Sequence, residues 1–421
     1  MDSLAQAVGH ADRVGPLNNY CTGLLLDGER KSVEPMAARV APDEVQRVHQ
    51  SMHHFVAASP WDDAAVLGQV RSYVLPEMEA NGPVTAWVVD ETSFVKKGAH
   101  SVGVARQYCG RLGKKENCQV AVSLSVATAG ASLPIAFRLY LPEEWTGDKA
   151  RCLEAGVPKE VEFQTKPQIA LAQIRQAVID GVPLGVVLAD EVYGSNREFR
   201  EGVADLKLNY SLAVRSTTTV WALDREPLPP KPWSGKGTRP IRMRRDETHQ
   251  PYTVEQLARA LPKKAWLEIS WREGSKEKLA SRFAALRVRP AYQDDRKAGQ
   301  QPEQWLLIEW PEGATGPDGY WLSNLPVKTS VKRLVGISKH RWVIERDYEE
   351  LKQEVGLTHY EGRNWRGFHH HATLCIAAYG FLIAERSRFS PSAQDGHIRL
   401  RAARIPPQFQ PREAKGSRSA A

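Results

Sequence analysis

Two aspartates, Asp90 and Asp190, each close an apolar, β-branched run, VTAWVVD and LGVVLAD, and a glutamate, Glu345, lies within a long amphipathic stretch far downstream. The end of a buried strand is where open α/β sheets bind their ligands. Two carboxylates at neighbouring strand ends repel one another unless a divalent cation neutralises them, so such a pair has the chemistry of a Mg²⁺ site. Taken singly, an Asp after a strand is an ordinary helix cap or turn residue. The metal reading therefore needs a third acid.

The stretch TSVKRLVGISKHRWVIERDYEELKQEVG reads as one helix ending at Gly356 and holds several acids. At about 100° per residue, Ser338, Arg341, Glu345, Tyr348 and Lys352 share an arc of about 80°, beside a stripe of Ile337, Ile344, Leu351 and Val355. Glu349 falls at the margin of that arc and Glu350 points away from it. Glu345 is thus the acid best placed next to a packed seam. A polar arc is most simply a solvated face, but this one mixes two cations with a carboxylate, a set that can hold a metal ion and nucleic-acid phosphates together.

The surrounding elements must bring these residues together. Residues 1–80 show helical periodicity, with Ser59-Pro60 and Asp62-Asp63 as helix-start chemistry. Three strands come next in VTAWVVD, QVAVSLSVAT and LPIAFRLYL, then a helix ending at Gly181, the strand LGVVLAD, a helix in NREFREGVADL and a strand in NYSLAVR. The order β-β-β-α-β-α-β describes an α/β, ribonuclease-H-like mixed sheet. Residues 216–326 alternate short strands with polar loops, as in AWLEISW and QWLLIEW, and read as an inserted antiparallel β subdomain instead of more of that sheet. The expected division is a helical N-terminal domain at 1–80, the first part of the mixed-sheet core at 81–215, the β-rich insertion at 216–326, the Glu345 helix and C-terminal helices at 327–390, and a disordered basic tail at 391–421.

Composition narrows the partner. A net charge of +8 favours a polyanion, and the basic residues gather in KPWSGKGTRPIRMRR and in the tail. No apolar run is long enough to span a bilayer and no signal pattern opens the chain, so a cytoplasmic location is expected. The five cysteines are scattered and never form a CxxC pair, which argues against a disulfide framework or a zinc site. His369, His370 and His371 are adjacent on a helix and so face different ways, which argues against joint metal ligation. Lys96, Lys97, Lys114 and Lys115 read as solvated turn lysines, and Cys109 as structural.

At Arg341, Glu345 and Lys352 a resemblance becomes specific. Their spacing looks like the Y-R-E-K signature of bacterial insertion-sequence transposases. The segments ERKSVEPMA, WVVDETSFVKKG, RQYCGRLGKKENCQVAVSLSVAT, LADEVYG and RWVIERDYEELKQEVGLTHYEGRNWRGFHHH resemble the insertion-sequence family numbered 701, whose catalytic domain is called a DDE superfamily endonuclease. The similarity runs from about residue 20 to about residue 385. It implies that Asp90, Asp190 and Glu345 are the metal-binding catalytic acids of a transposase that cuts element ends and joins them to target DNA, using two Mg²⁺ ions for which Mn²⁺ can substitute. It also maps Arg341 and Lys352 to DNA phosphates and Tyr193 to the aromatic after the second Asp. The signature tyrosine falls on Ser338, a departure that removes the ring expected to meet the DNA end.

Within the insertion, Arg242, Arg244 and Arg245 would bind DNA, and its tryptophans would either meet a flipped base or simply pack a small β subdomain. The implied partners are double-stranded DNA, as element ends and target, and a second copy in a homodimeric synaptic complex. The rival readings are a catalytically inactive, transposase-derived DNA-binding protein and a nuclease with no joining step.

Overall fold

The computed structural model describes residues 2–273, 278–291 and 301–389, so the tail expected at 391–421 lies outside the described residues. In chain order the helices and strands are α1 (Asp2–Ala7), α2 (Val14–Leu25), α3 (Val33–Val40), α4 (Val45–Ala57), α5 (Asp63–Glu79), β1 (Ala86–Val95), β2 (Ala105–Cys109), β3 (Lys114–Ala127) and β4 (Ser132–Leu139). Then come α6 (Glu143–Thr146), α7 (Lys149–Glu154), α8 (Lys166–Ile179), β5 (Val186–Ala189), α9 (Glu191–Gly194), α10 (Arg197–Asp205), β6 (Tyr210–Ala213) and β7 (Thr219–Ala222). The chain continues through β8 (Tyr252–Thr253), α11 (Val254–Ala260), β9 (Leu267–Glu273), β10 (Lys278–Pro290), β11 (Gln304–Trp310), β12 (Gly319–Ser323), α12 (Val331–Lys339), α13 (Val343–Gln353) and α14 (Trp365–Phe389).

Local chemistry accounts for several of these boundaries. Asp62 caps α5 by accepting from the Ala64 amide at 2.8 Å. Thr165 and Gln168 form a capping box at the start of α8, and Gly181 takes the left-handed conformation just past its end, where a side chain would be strained.

The chain divides into two compact units, one made of residues 1–84, 91–164 and 344–421, the other of 85–90 and 165–343. In the first, α14 packs against α5, α2, α4 and β4. Its three consecutive histidines are spent on that packing. His369 accepts from the Leu139 amide at 3.2 Å, His370 stacks on Trp61 and meets Asp63, and His371 meets the Tyr20 hydroxyl at 2.9 Å. Three neighbours on one helix thus serve three separate partners. The N-terminal helices share their core with the last helix, and this unit's first segment ends at residue 84.

In the second unit β1, β5 and β6 run parallel. Position 185 must be glycine, because a Cβ there would lie 2.7 Å from the Ala86 backbone. The expectation of a separate insertion is corrected here: β12 pairs antiparallel with β6, Trp321 opposite Ala213, and β11, β10, β7 and β8 continue outward. Strand β6 would otherwise present an unpaired edge, and the insertion supplies the missing backbone partners. Along β11 successive residues face opposite ways. Leu306 and Ile308 join Val254 and Leu257 of α11 in one cluster, and Leu307 joins Leu334 and Val335 of α12 in the other.

Candidate active site

Strand β1 does not end at Asp90 as expected but continues to Val95, and Thr92, Ser93 and Phe94 are buried. Strand β5 does end just before Asp190. The pairing of Ala86 with Val186, Trp87 with Val187 and Val88 with Leu188, carried two residues on, brings Asp90 level with Asp190. Paired residues on parallel strands face the same side, and neighbouring strands lie about 4.8 Å apart. The two residues thus fall at the same level on neighbouring strands.

Each also has a structural task. Asp190 caps α9, its Oδ1 accepting from the Val192 amide at 2.9 Å. Asp90 receives Arg341, whose Nη1 lies 3.1 Å from Oδ2, within ion-pair range though not aligned as a hydrogen bond. The guanidinium is thus placed on the first acid, whereas the resemblance implied a DNA phosphate. Carboxylate oxygens are hard donors of the kind that suit a divalent ion. Among the described residues, no group of three His, Cys, Asp or Glu side chains is drawn together.

Changing Arg341 to Gln is expected to lower the melting temperature in EDTA, since Asp90 loses its counter-charge, and to enlarge the rise on adding Mg²⁺. Thermal melts with and without the ion check this. An unchanged Mg²⁺ response would remove Arg341 from the site.

The helix expected to be continuous through Glu345 is broken. Residues His340–Trp342 form a 3-10 turn between α12 and α13. A 3-10 segment turns about 120° per residue instead of 100°, so residues before and after it no longer share the arc of an uninterrupted helix. Glu345 is exposed on α13, within the first unit. Ser338 is buried, its Oγ 2.6 Å from that of Ser211 on β6. The signature-tyrosine position here is thus a packing site on the sheet, not a surface facing DNA. Tyr348 is buried as well, hydrogen-bonded to Ser123, with the Lys352 ammonium 5.4 Å from its ring centre.

Tyr193 requires a correction of the same kind. Its side chain is 0 % exposed and packs on Phe199 at 5.6 Å between ring centres, so it offers DNA no surface. Of the insertion cations, Arg242 is exposed, Arg244 bonds the Pro229 carbonyl at 3.0 Å, and Arg245 bonds the Ala291 carbonyl at 2.7 Å. Trp266 meets Trp310 edge-on and Trp271 meets Phe283 edge-on, both packing, whereas Trp233 is half exposed.

Three positioning residues escape sequence reasoning. Arg200 is buried and donates to the Gly194 carbonyl, supporting α9 behind Asp190. Lys339 is clamped by Glu309 and the faces of Trp271 and Trp321, which fixes the end of α12 two residues before Arg341. Asp347 is fully buried, with Ser132 and the Tyr379 hydroxyl as partners, the latter at 2.9 Å. Asp347 alone carries a signal: it stands three residues after Ile344 and four before Leu351, inside the apolar stripe.

Burial pushes the Asp347 carboxyl up to about 7, against the partial opposition of its hydrogen bonds and of Arg346. With the folded value raised, the folded protein holds a proton that the unfolded chain releases above about pH 4. The stability from this group is greatest in acid and declines as pH rises towards 7. Asp347→Asn, which keeps the shape and needs no proton, is expected to flatten the fall in melting temperature between about pH 4 and pH 7. Calorimetry across that range tests it, and parallel profiles for the two proteins would contradict it.

Asp90 and Asp190 thus stand at one level of a parallel strand pair in a mixed α/β sheet. The family model described as DDE superfamily endonuclease matches residues 3–278, and the chain belongs to that family. The matched region contains Asp90 and Asp190 and stops before Arg341, Glu345 and Lys352. The chain is also 34% identical over 207 residues to the probable transposase for insertion sequence element IS701 of Microchaete diplosiphon. That alignment spans 48% of this chain and 50% of the relative. No described helix is long and apolar enough to cross a membrane.

Proposed function

We propose that this protein is a DNA transposase that cuts phosphodiester bonds at the ends of an insertion element and joins the freed 3′-hydroxyls to target DNA. The observation that supports the reading is the parallel β1–β5 register, which pairs Val88 with Leu188 two residues before Asp90 and Asp190, in a member of the DDE endonuclease family. Asp90 and Asp190 would hold divalent cations, with Glu345 as the third acid. When bound, a pair of Mg²⁺ ions supplies charge stabilisation at the attacking and leaving oxygens of in-line phosphoryl transfer. Within the chain, Arg341 keeps Asp90 neutralised before loading and is then available to a DNA phosphate, a role Lys352 shares. Arg242 and Arg245, both exposed, would follow the DNA backbone, with Arg244 and Arg245 also holding their loop through carbonyl hydrogen bonds. Synapsis of two ends calls for a homodimer, and the protein would act in the bacterial cytoplasm.

A labelled duplex carrying an element end, incubated with the protein and Mg²⁺, should be nicked at the end and left intact in EDTA. A second reading, an inactive transposase-derived DNA-binding protein, draws on the Arg341–Asp90 pair. Binding without nicking in that assay would select it.

A further inference from the structure

Strands β2 and β3 form a ribbon whose two faces differ. Their register sets Tyr108 opposite Lys115 and Arg106 opposite Asn117, so these four side chains share one face. On the other face Cys109 and Cys118 are buried and cluster with Val120. The ribbon is held along its length: Gln107 donates to the Cys118 carbonyl at 2.9 Å, and in the turn the Gly110 amide donates to Ser93 Oγ of β1 at 3.2 Å. Strand β3 is exposed at its first residues and buried from Cys118 to Ala127, so the ribbon is the solvent-facing end of a core strand.

The exposed face carries an unusual combination. Tyr108 is 58 % exposed, although a tyrosine on a well-anchored strand ordinarily packs. It lies between the cations of Arg106 and Lys115, both exposed, and at the tip Arg111 is exposed beside Leu112. Against these the ribbon has one acid, Glu116, which is engaged with Lys114 at 3.7 Å. A rigid two-stranded ribbon has the width that the DNA major groove admits, and cations flanking an aromatic ring suit phosphates on either side of a groove floor.

We infer that the β2–β3 ribbon is a duplex-DNA docking element, separate from the basic loop of the insertion, with Arg106, Arg111 and Lys115 on phosphates and Tyr108 laid into the groove between them. This rests on the transposase reading and adds the surface by which DNA is gripped outside the acid site. It also revises the view of Lys115 as a solvated turn lysine, since Lys115 is a strand residue paired with an exposed aromatic.

The test uses the full chain in EDTA, so that no cutting occurs, with a duplex lacking element ends, and reads anisotropy as KCl is varied. The triple variant Arg106→Ala, Arg111→Ala, Lys115→Ala is expected to melt like wild type and to reduce the slope of log affinity against log salt by about 2 to 3. Tyr108→Ala should weaken binding roughly tenfold with the slope unchanged. A wild-type slope in the triple variant overturns the assignment while leaving the transposase reading intact. Unchanged DNA binding with altered self-association would make the ribbon a protein contact and also overturn it. Absence of DNA binding by the wild type would overturn both.

Discussion

Asparagine at Asp90 or Asp190 is expected to cut the rate of end cleavage at least about a thousandfold, a loss of about 4 kcal/mol of transition-state stabilisation, while leaving DNA affinity nearly unchanged. The separation comes from the division of labour in the site. On the proposed reading the two carboxylates would hold the cations, whereas affinity for DNA would come from arginines and lysines elsewhere. The Asp190 variant is the cleaner of the two. Asparagine caps helices about as well as aspartate, so the Val192 amide keeps its acceptor and α9 keeps its start. At Asp90 the change also removes the partner of Arg341, so a small fall in stability should accompany the loss of cutting. Gel-based cleavage and anisotropy on the same duplex measure both quantities. Retained cutting in either variant would remove that residue from the catalytic set.

The largest effect on the fold is expected from Gly194→Ala. An added Cβ would sit 1.9 Å from the Ala213 carbonyl oxygen and 3.0 Å from Leu212 Cβ, on the parallel strand next to β5. Neither atom belongs to a flexible side-chain end, so α9 or β6 must shift. Overpacking of this kind costs on the order of 3 kcal/mol. The shift would be felt at Asp190, because α9 begins on that residue and the Arg200 side chain holds the Gly194 carbonyl. Urea unfolding should show the loss, and cleavage should fall further than stability alone explains. A variant with wild-type stability would mean that the α9–β6 contact is looser than these distances state.

The elements that hold the acids are legible in the sequence because the signals there are local. Asp190 ends a short β-branched run and caps the helix after it, and α8 before it carries its own capping box and a terminal glycine. The second half of β1 is hidden because Asp90, Glu91 and Thr92 look like a turn. Yet Thr92 and Ser93 are buried, so polarity alone is a poor guide to the strand's end. Strand β2 passes for part of a turn because ARQYC has little apolar character, its one inward anchor being Cys109.

Pairing between distant backbones is beyond the reach of sequence. The strands of the insertion are recognisable individually, but their docking through β12 onto β6 uses main-chain groups that leave no mark on residue type. The arc that singles out Glu345 assumes one unbroken helix, and the turn at His340–Trp342 breaks that assumption. The family match ends before this segment, so Glu345 rests on the spacing with Arg341 and Lys352. The resemblance implies DNA-facing positions at Ser338 and Tyr193, and the sheet buries both.

The most direct test of the account is strand transfer by the full-length protein. A precut, labelled element end with a free 3′-hydroxyl, mixed with supercoiled target plasmid, protein and Mg²⁺, should yield covalently joined product. The same mixture with EDTA, or with the Asp190→Asn variant, should yield none. Cutting of uncut ends without any joining would contradict transposition and leave a nuclease, and joining that survives EDTA would contradict the metal-holding acid pair itself.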